Sequence, residues 1–338
     1  MKATHYFILL PFFCFITANG VLAQDSVVGR NFRNDSYISW VKEFPSLKTD
    51  KVVSSKGEKF KNVVFGKRNI PNINKPMNVV ASNPDTFMVI DQANGLIFQI
   101  QNMSFDVPKH LRKRFTDFTS MVGICNFKDG GILFTDSHLK KIYKINEDKT
   151  ELSTLNDSLD LMQPTGIAYS NATDEIWVVE TAAHRISILN SKGKLLRRIG
   201  QRGNGNLEFN YPTFIWIDNT GTAYIVDALN FRIQILDKNG SFVSSFGKIG
   251  DATGYLARPK GIATDSRGNI YVVDALFNSV QIFDKSGMFL YNFGSQGRYQ
   301  GEFWMPVGIF IDKKDFIYIA DSYNSRVQIF QLKYDDKK

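Results

Sequence analysis

The chain has 338 residues, 43% of them hydrophobic and 22% charged, with a formal net charge of +8. That length and apolar content support a large folded core and exclude a disordered or fibrous protein. Only two cysteines are present, so no disulfide framework holds the fold.

The first element is a predicted secretory leader over residues 1–23. Lys2 supplies the positive start, Phe7 to Ile16 the apolar core, and Val21-Leu22-Ala23 a cleavage site before Gln24. The apolar run is shorter than a membrane-spanning helix needs, and Pro11 interrupts it. The mature chain is therefore expected to be exported, to the periplasm or beyond the cell. It then keeps one cysteine, Cys125, in a slot that other stretches fill with Ala168 or Ala263. That reads as a small buried thiol. The basic residues are scattered. They suit attraction to acidic surfaces, and no nucleic-acid partner is expected of an exported chain.

Residues 24–60 are expected to form an extension, packed on the rest through Tyr37, Trp40 and Phe44. From 61 to 332 one phrase recurs, clearest in Gly268 to Asp284, Gly221 to Asp237 and Asp315 to Gln331. The acidic residue that ends its leading strand falls at Asp91, Asp136, Glu180, Asp227, Asp274 and Asp321, at steps of 44 to 47 residues. Strand-like units at this period predict an all-β, six-bladed β-propeller with four-stranded antiparallel blades. Each unit holds a first strand after a proline, a tight turn, a second strand ending at the acid, a short loop, and third and fourth strands. Six positions after each acid stands Ile97, Ile142, Ile186, Ile233, Val280 or Val327, expected to face the adjoining blade.

No fourth strand follows Val327 to Phe330, and the last residues, 333–338, are a charged tail. Upstream, Phe60 to Gly66 matches the fourth-strand phrases Phe289 to Gly294 and Phe242 to Gly247. The expectation is that this N-terminal strand closes the last blade and removes an exposed edge.

These phrases, with Tyr318 to Phe330 the clearest, resemble the NHL-repeat family of six-bladed propellers, in its bacterial exported form. The resemblance implies a binding or assembly scaffold without catalysis, a protein or glycan partner, a monomeric ring and no cofactor. Some relatives are enzymes. Peptidylglycine amidating lyase holds zinc with His just after the opening proline, where this chain has Met77, Val122, Thr165, Thr213, Lys260 and Val307. Gluconolactonase-type propellers bind a divalent metal at the channel, and the matching positions here lack the acids. A metal-dependent lyase or hydrolase of either type is the alternative reading. No catalytic or metal-binding residue is assigned.

The six acids, together with Arg185, Arg232 and Arg326 five positions on, are expected to brace loops, since every blade repeats them. The expected ligand face holds residues that break the repeat: His184, Phe231, Lys260, Phe277, Arg298, Tyr299, Trp304 and Tyr323. Aromatic and basic groups mixed on a ring end suit partner recognition.

Overall fold

A computed structural model describes residues 27–31, 36–45, 72–102, 104–107 and 118–334. The expected leader over 1–23, Phe60 to Gly66, the basic run 109–114 and the last four residues lie outside these. The described chain is a six-bladed β-propeller. Blade one spans Pro76 to Asp106, blade two Met121 to Thr154, blade three Pro164 to Ile199, blade four Pro212 to Phe246 and blade five Pro259 to Phe293. In each, four consecutive strands pair antiparallel, the first nearest the ring axis.

Burial follows from this radial stacking. Second strands such as Ile270–Asp274 are buried at every position, because both faces meet a neighbouring blade. Fourth strands such as Phe242–Phe246 alternate half-buried and exposed residues, because blades diverge outward. Five apolar clusters seal the seams between blades. The Ile or Val six places after each acid is fully buried in one of them.

Blade six is built from both chain ends, as expected, but by a different N-terminal segment. Ile309–Ile311, Phe316–Asp321 and Arg326–Tyr334 pair with Ser36–Phe44, and Val27–Asn31 adds a fifth strand outside it. The closing strand is therefore drawn from the stretch read as an outer extension. Specific side chains select it. Glu43 Oε2 lies 2.6 Å from Arg326 Nη1, Trp40 Nε1 donates to Gln328 Oε1 at 3.1 Å, and Phe44 meets Phe87 and Phe105 of blade one edge-on.

The ring has two unlike faces. The loop face carries the connections from second to third strands and from blade to blade. The turn face carries the tight turns between first and second strands and between third and fourth.

Near the loop face the first strands crowd together. Five of them bulge just after their opening residue. At the bulge Gly261 N–H donates to Val307 O of the next blade at 2.8 Å. A Cβ on Gly166 or Gly261 would fall 2.7 Å from a backbone oxygen of the next blade, so only glycine permits this approach. Blade four has Phe214 in the glycine slot. Val122 of blade two and Val307 of blade six pack against the cluster that contains Phe214. Contacts among alternate blades must cross the axis, so the channel is plugged at this level.

Candidate functional site: the two ends of a plugged channel

The corners of the loop face are built first. All six strand-end acids are fully buried. Asp274 accepts from the backbone N–H groups of Ala257 (2.8 Å), Arg258 (3.0 Å), Leu276 (3.1 Å) and Phe277 (3.4 Å). It thereby ties the incoming blade connection to the loop after the second strand. Asp91 and Asp136 likewise accept backbone N–H groups from both segments. Glu180, Asp227 and Asp321 add a guanidinium. Arg185 Nε, Arg232 Nε and Arg326 Nε sit 2.9, 2.9 and 2.8 Å from their acids. Arg232 and Arg326 each reach on to three backbone carbonyls of the preceding blade connection. For Asp321 burial outweighs these partners and pushes the carboxyl up. For Glu180 the Arg185, Ser187 and Met162 hydrogen bonds outweigh a larger burial penalty and hold it down.

The eight residues expected on the ligand face divide by environment. His184 is buried; its Nδ1 accepts from Tyr211 N–H at 3.1 Å and its ring packs edge-on against Tyr211. Phe231 sits at a left-handed corner (φ 53°) and packs against the apolar seam of blades four and five. These two rings hold loops. The other six reach the surface to differing extents. Arg298 lies over Trp304, with 5.1 Å from its guanidinium to the ring, and Trp304 is 5.9 Å from Tyr323. Tyr299 is 79% exposed and Tyr323 57%. Phe277 is half-buried.

Lys260, which follows the opening proline of blade five, is half-buried and has no acceptor among the described residues. Burial pushes its ammonium below the ordinary lysine range, and Arg258 adds to the effect.

The sequence pattern also concealed a ring of loop tips. Two positions after each acid stand Ala93, His138, Ala182, Leu229, Leu276 and Tyr323. In blades four to six this position is bulky, apolar and 51–58% exposed. The signal was the same repeat, read at its most variable position.

The other end of the channel is open and was missed. Below Phe214 the axis widens into a cavity of about 1160 Å³, lined by the far halves of the first strands and the turns that follow. None of Met77, Val122, Thr165, Thr213, Lys260 or Val307 lines it, so it is a blind funnel opening on the turn face. Trp216 and Phe310 both line it and meet edge-on at 5.7 Å, from blades four and six. Trp216 Nε1 donates to Thr264 Oγ1 of the blade between them at 2.9 Å. The available signal was the slot Val80, Cys125, Ala168, Trp216, Ala263, Phe310, where two large rings replace small residues. Cys125 lies on the funnel wall, and burial pushes its thiol up to about 12. Among the described residues no group of three or more His, Cys, Asp and Glu is placed to hold a metal. The donor set of the described residues therefore does not fit the metal that the alternative reading requires.

A ring closed by an N-terminal strand, plugged at one end and hollow at the other, is a six-bladed propeller. The chain belongs to the family described as 6-bladed beta-propeller (DUF5128), which matches residues 117–245 and 255–337. Solved structures share the ring. An auxiliary nutrient binding protein from Bacteroides ovatus is 16% identical at TM-score 0.59, over 78% of this chain and 69% of its own. Virginiamycin B lyase from Staphylococcus aureus is 17% identical at TM-score 0.56, over 77% of this chain and 96% of its own. A gluconolactonase from Xanthomonas campestris is 14% identical at TM-score 0.59, over 78% and 87%. At such identities the likeness concerns the fold alone, which hosts binding proteins and enzymes alike. No curated protein matches the chain in sequence.

Proposed function

We propose that this chain is an exported propeller of the NHL type that binds a protein partner through its loop face. One observation carries the reading: Leu229, Leu276 and Tyr323 are exposed at equivalent tips of three consecutive blades. A single exposed apolar side chain is ordinary, but three at the same place on successive blades offer a repeating apolar surface to a partner. Beside the arc stand Trp304, Arg298 and Tyr299, residue types that anchor interfaces. Lys260, without an acceptor among the described residues, and exposed Arg258 and Arg298 make an acidic partner surface the better fit. The leader expected over residues 1–23 supports an encounter in the periplasm or outside the cell. A glycan partner is the second form of this reading, and the metal-dependent lyase or hydrolase the rival to it.

The test is crosslinking in the native envelope, followed by titration of the recovered partner against folded variants. Leu276→Asp with Tyr323→Asp should weaken binding at least about tenfold, because each tip loses on the order of 1–2 kcal/mol of contact. Lys260→Glu with Arg298→Glu should weaken it and flatten its salt dependence. Unchanged affinity in both double variants would remove the loop face from consideration. Stoichiometric zinc or calcium in the purified protein would favour the enzyme reading.

A further inference from the structure

The funnel on the turn face is chemically uneven around its mouth. On the side of blades two to four, Asn126, Asn171 and Asn219 present exposed amides that make no side-chain hydrogen bond among the described residues. On the side of blades five and six, Lys285, Lys313 and Lys314 are exposed and face no carboxylate within salt-bridge distance among those residues. Acids do line the funnel, but each is committed to its own turn. Asp218 accepts from Thr220 N, Thr222 N and Tyr224 Oη. Asp265 accepts from Arg267 N, Asn269 N and Tyr271 Oη, and Asp312 from Lys314 N, Phe316 N and Tyr318 Oη. Turn amides and phenols thus satisfy the carboxylates, while the three ammonium groups are left to solvent.

Deeper in, the rings of Trp216 and Phe310 form a floor. The bond from Trp216 Nε1 to Thr264 Oγ1 fixes the indole, so the floor is held in place before any ligand arrives.

We infer that the funnel binds an acidic oligosaccharide. One sugar ring stacks on the Trp216–Phe310 floor. Its hydroxyls meet the free amides of Asn126, Asn171 and Asn219, and its carboxylates meet Lys285, Lys313 and Lys314. Each wall selects against a different competitor. A neutral sugar leaves the lysines unused, an aromatic acid leaves the amides unused, and an inorganic anion has no need of the aromatic floor. The volume, about 1160 Å³, is at the upper end for single small molecules and suits a short oligomer entering from one side. This site is independent of the loop face, from which the Phe214 plug separates it.

The experiment titrates the mature full chain with trigalacturonate, neutral galactotriose and benzoate, read by calorimetry and tryptophan fluorescence. Saturable binding of trigalacturonate is expected, weakening with salt, with galactotriose and benzoate each at least about tenfold weaker. Lys313→Glu with Lys314→Glu, both on the exposed rim, should lower trigalacturonate affinity at least about tenfold with no change in melting. Phe310→Leu should weaken binding without altering its salt slope. Lys260→Glu with Arg298→Glu should leave it intact, which separates this proposal from the loop-face reading. Absence of saturable binding up to about 10 mM overturns the inference. So does equal affinity for the neutral sugar or for benzoate, or an unaltered affinity in the Lys313, Lys314 double variant.

Discussion

Blades five and six answer the same geometric demand in different ways. Blade five is one continuous run, Pro259 to Phe293. Its corner acid, Asp274, is satisfied by four backbone N–H groups, and Ser279 stands where blades three, four and six have arginine. Blade six joins chain segments that lie 283 positions apart at Arg326 and Glu43. Its corner is a side-chain net: Arg326 bonds to Asp321, to Glu43 and to three carbonyls of the preceding connection. Gln328 adds bonds to Asp321 and the Glu302 carbonyl. Blade four, also one continuous run, repeats most of this net through Arg232 and Gln234, so the bonds peculiar to blade six are those to Glu43 and Trp40 of the closing strand. A closure between distant ends has to recover loop-closure entropy, and these two bonds make one register of the closing strand far better than its neighbours.

The sharpest way to break this comparison is to remove residues 24–45. Burial of Ile38 and Phe44 alone is worth about 1.5–3 kcal/mol each, and the edge of Arg326–Tyr334 would be opened. Loss of cooperative unfolding, with self-association on size exclusion, is expected. A monomer with an unchanged denaturation midpoint would mean that the strand is dispensable.

Next in size is Arg326→Met, expected to cost about 3–5 kcal/mol by stranding two buried carboxylates, Asp321 and Glu43. Ser279→Ala, at the matching place in blade five, should stay within about 0.5–1 kcal/mol. Urea unfolding of both variants makes the contrast quantitative, and equal costs would show that the net adds nothing to the corner.

Asp274→Asn comes third, at about 1–3 kcal/mol, because the amide still accepts but its NH₂ meets backbone donors. Partner binding should survive once the variant is folded. Preserved stability with lost binding would reassign Asp274 from corner to ligand.

The smallest effect is a gain. Lys260→Met should raise the melting temperature at neutral pH while weakening an acidic partner. The sign follows from burial. The folded-state pKa of Lys260 lies below its unfolded value of 10.5, so the charged form is penalised in the folded chain at lower pH. That penalty fades as pH rises through the lowered pKa toward 10.5, and the advantage of the methionine variant should fade with it. An advantage that grows with pH would contradict the burial argument.

Much of the architecture was legible in the chain itself. A repeat of 44 to 47 residues, an acid at each strand end and an aliphatic six places later are local rules, and local rules specify blades, corners and seams. The faces of those blades followed from the same period, and so did the expectation that an N-terminal strand would close the ring. Which strand it would be did not follow. Phe60 to Gly66 carries the fourth-strand phrase, whereas Ser36–Phe44 carries the partners that Arg326 and Gln328 require. Pairing across such a separation is decided by long-range side-chain complementarity, which no local phrase encodes. The same holds for site residues. His184 and Phe231 had suitable chemistry, but left-handed corners turned their rings toward neighbouring loops. Trp216 and Phe310 stood in a slot for small residues, visible as exceptions. Only the convergence of six first strands on one axis gave those exceptions a common cavity.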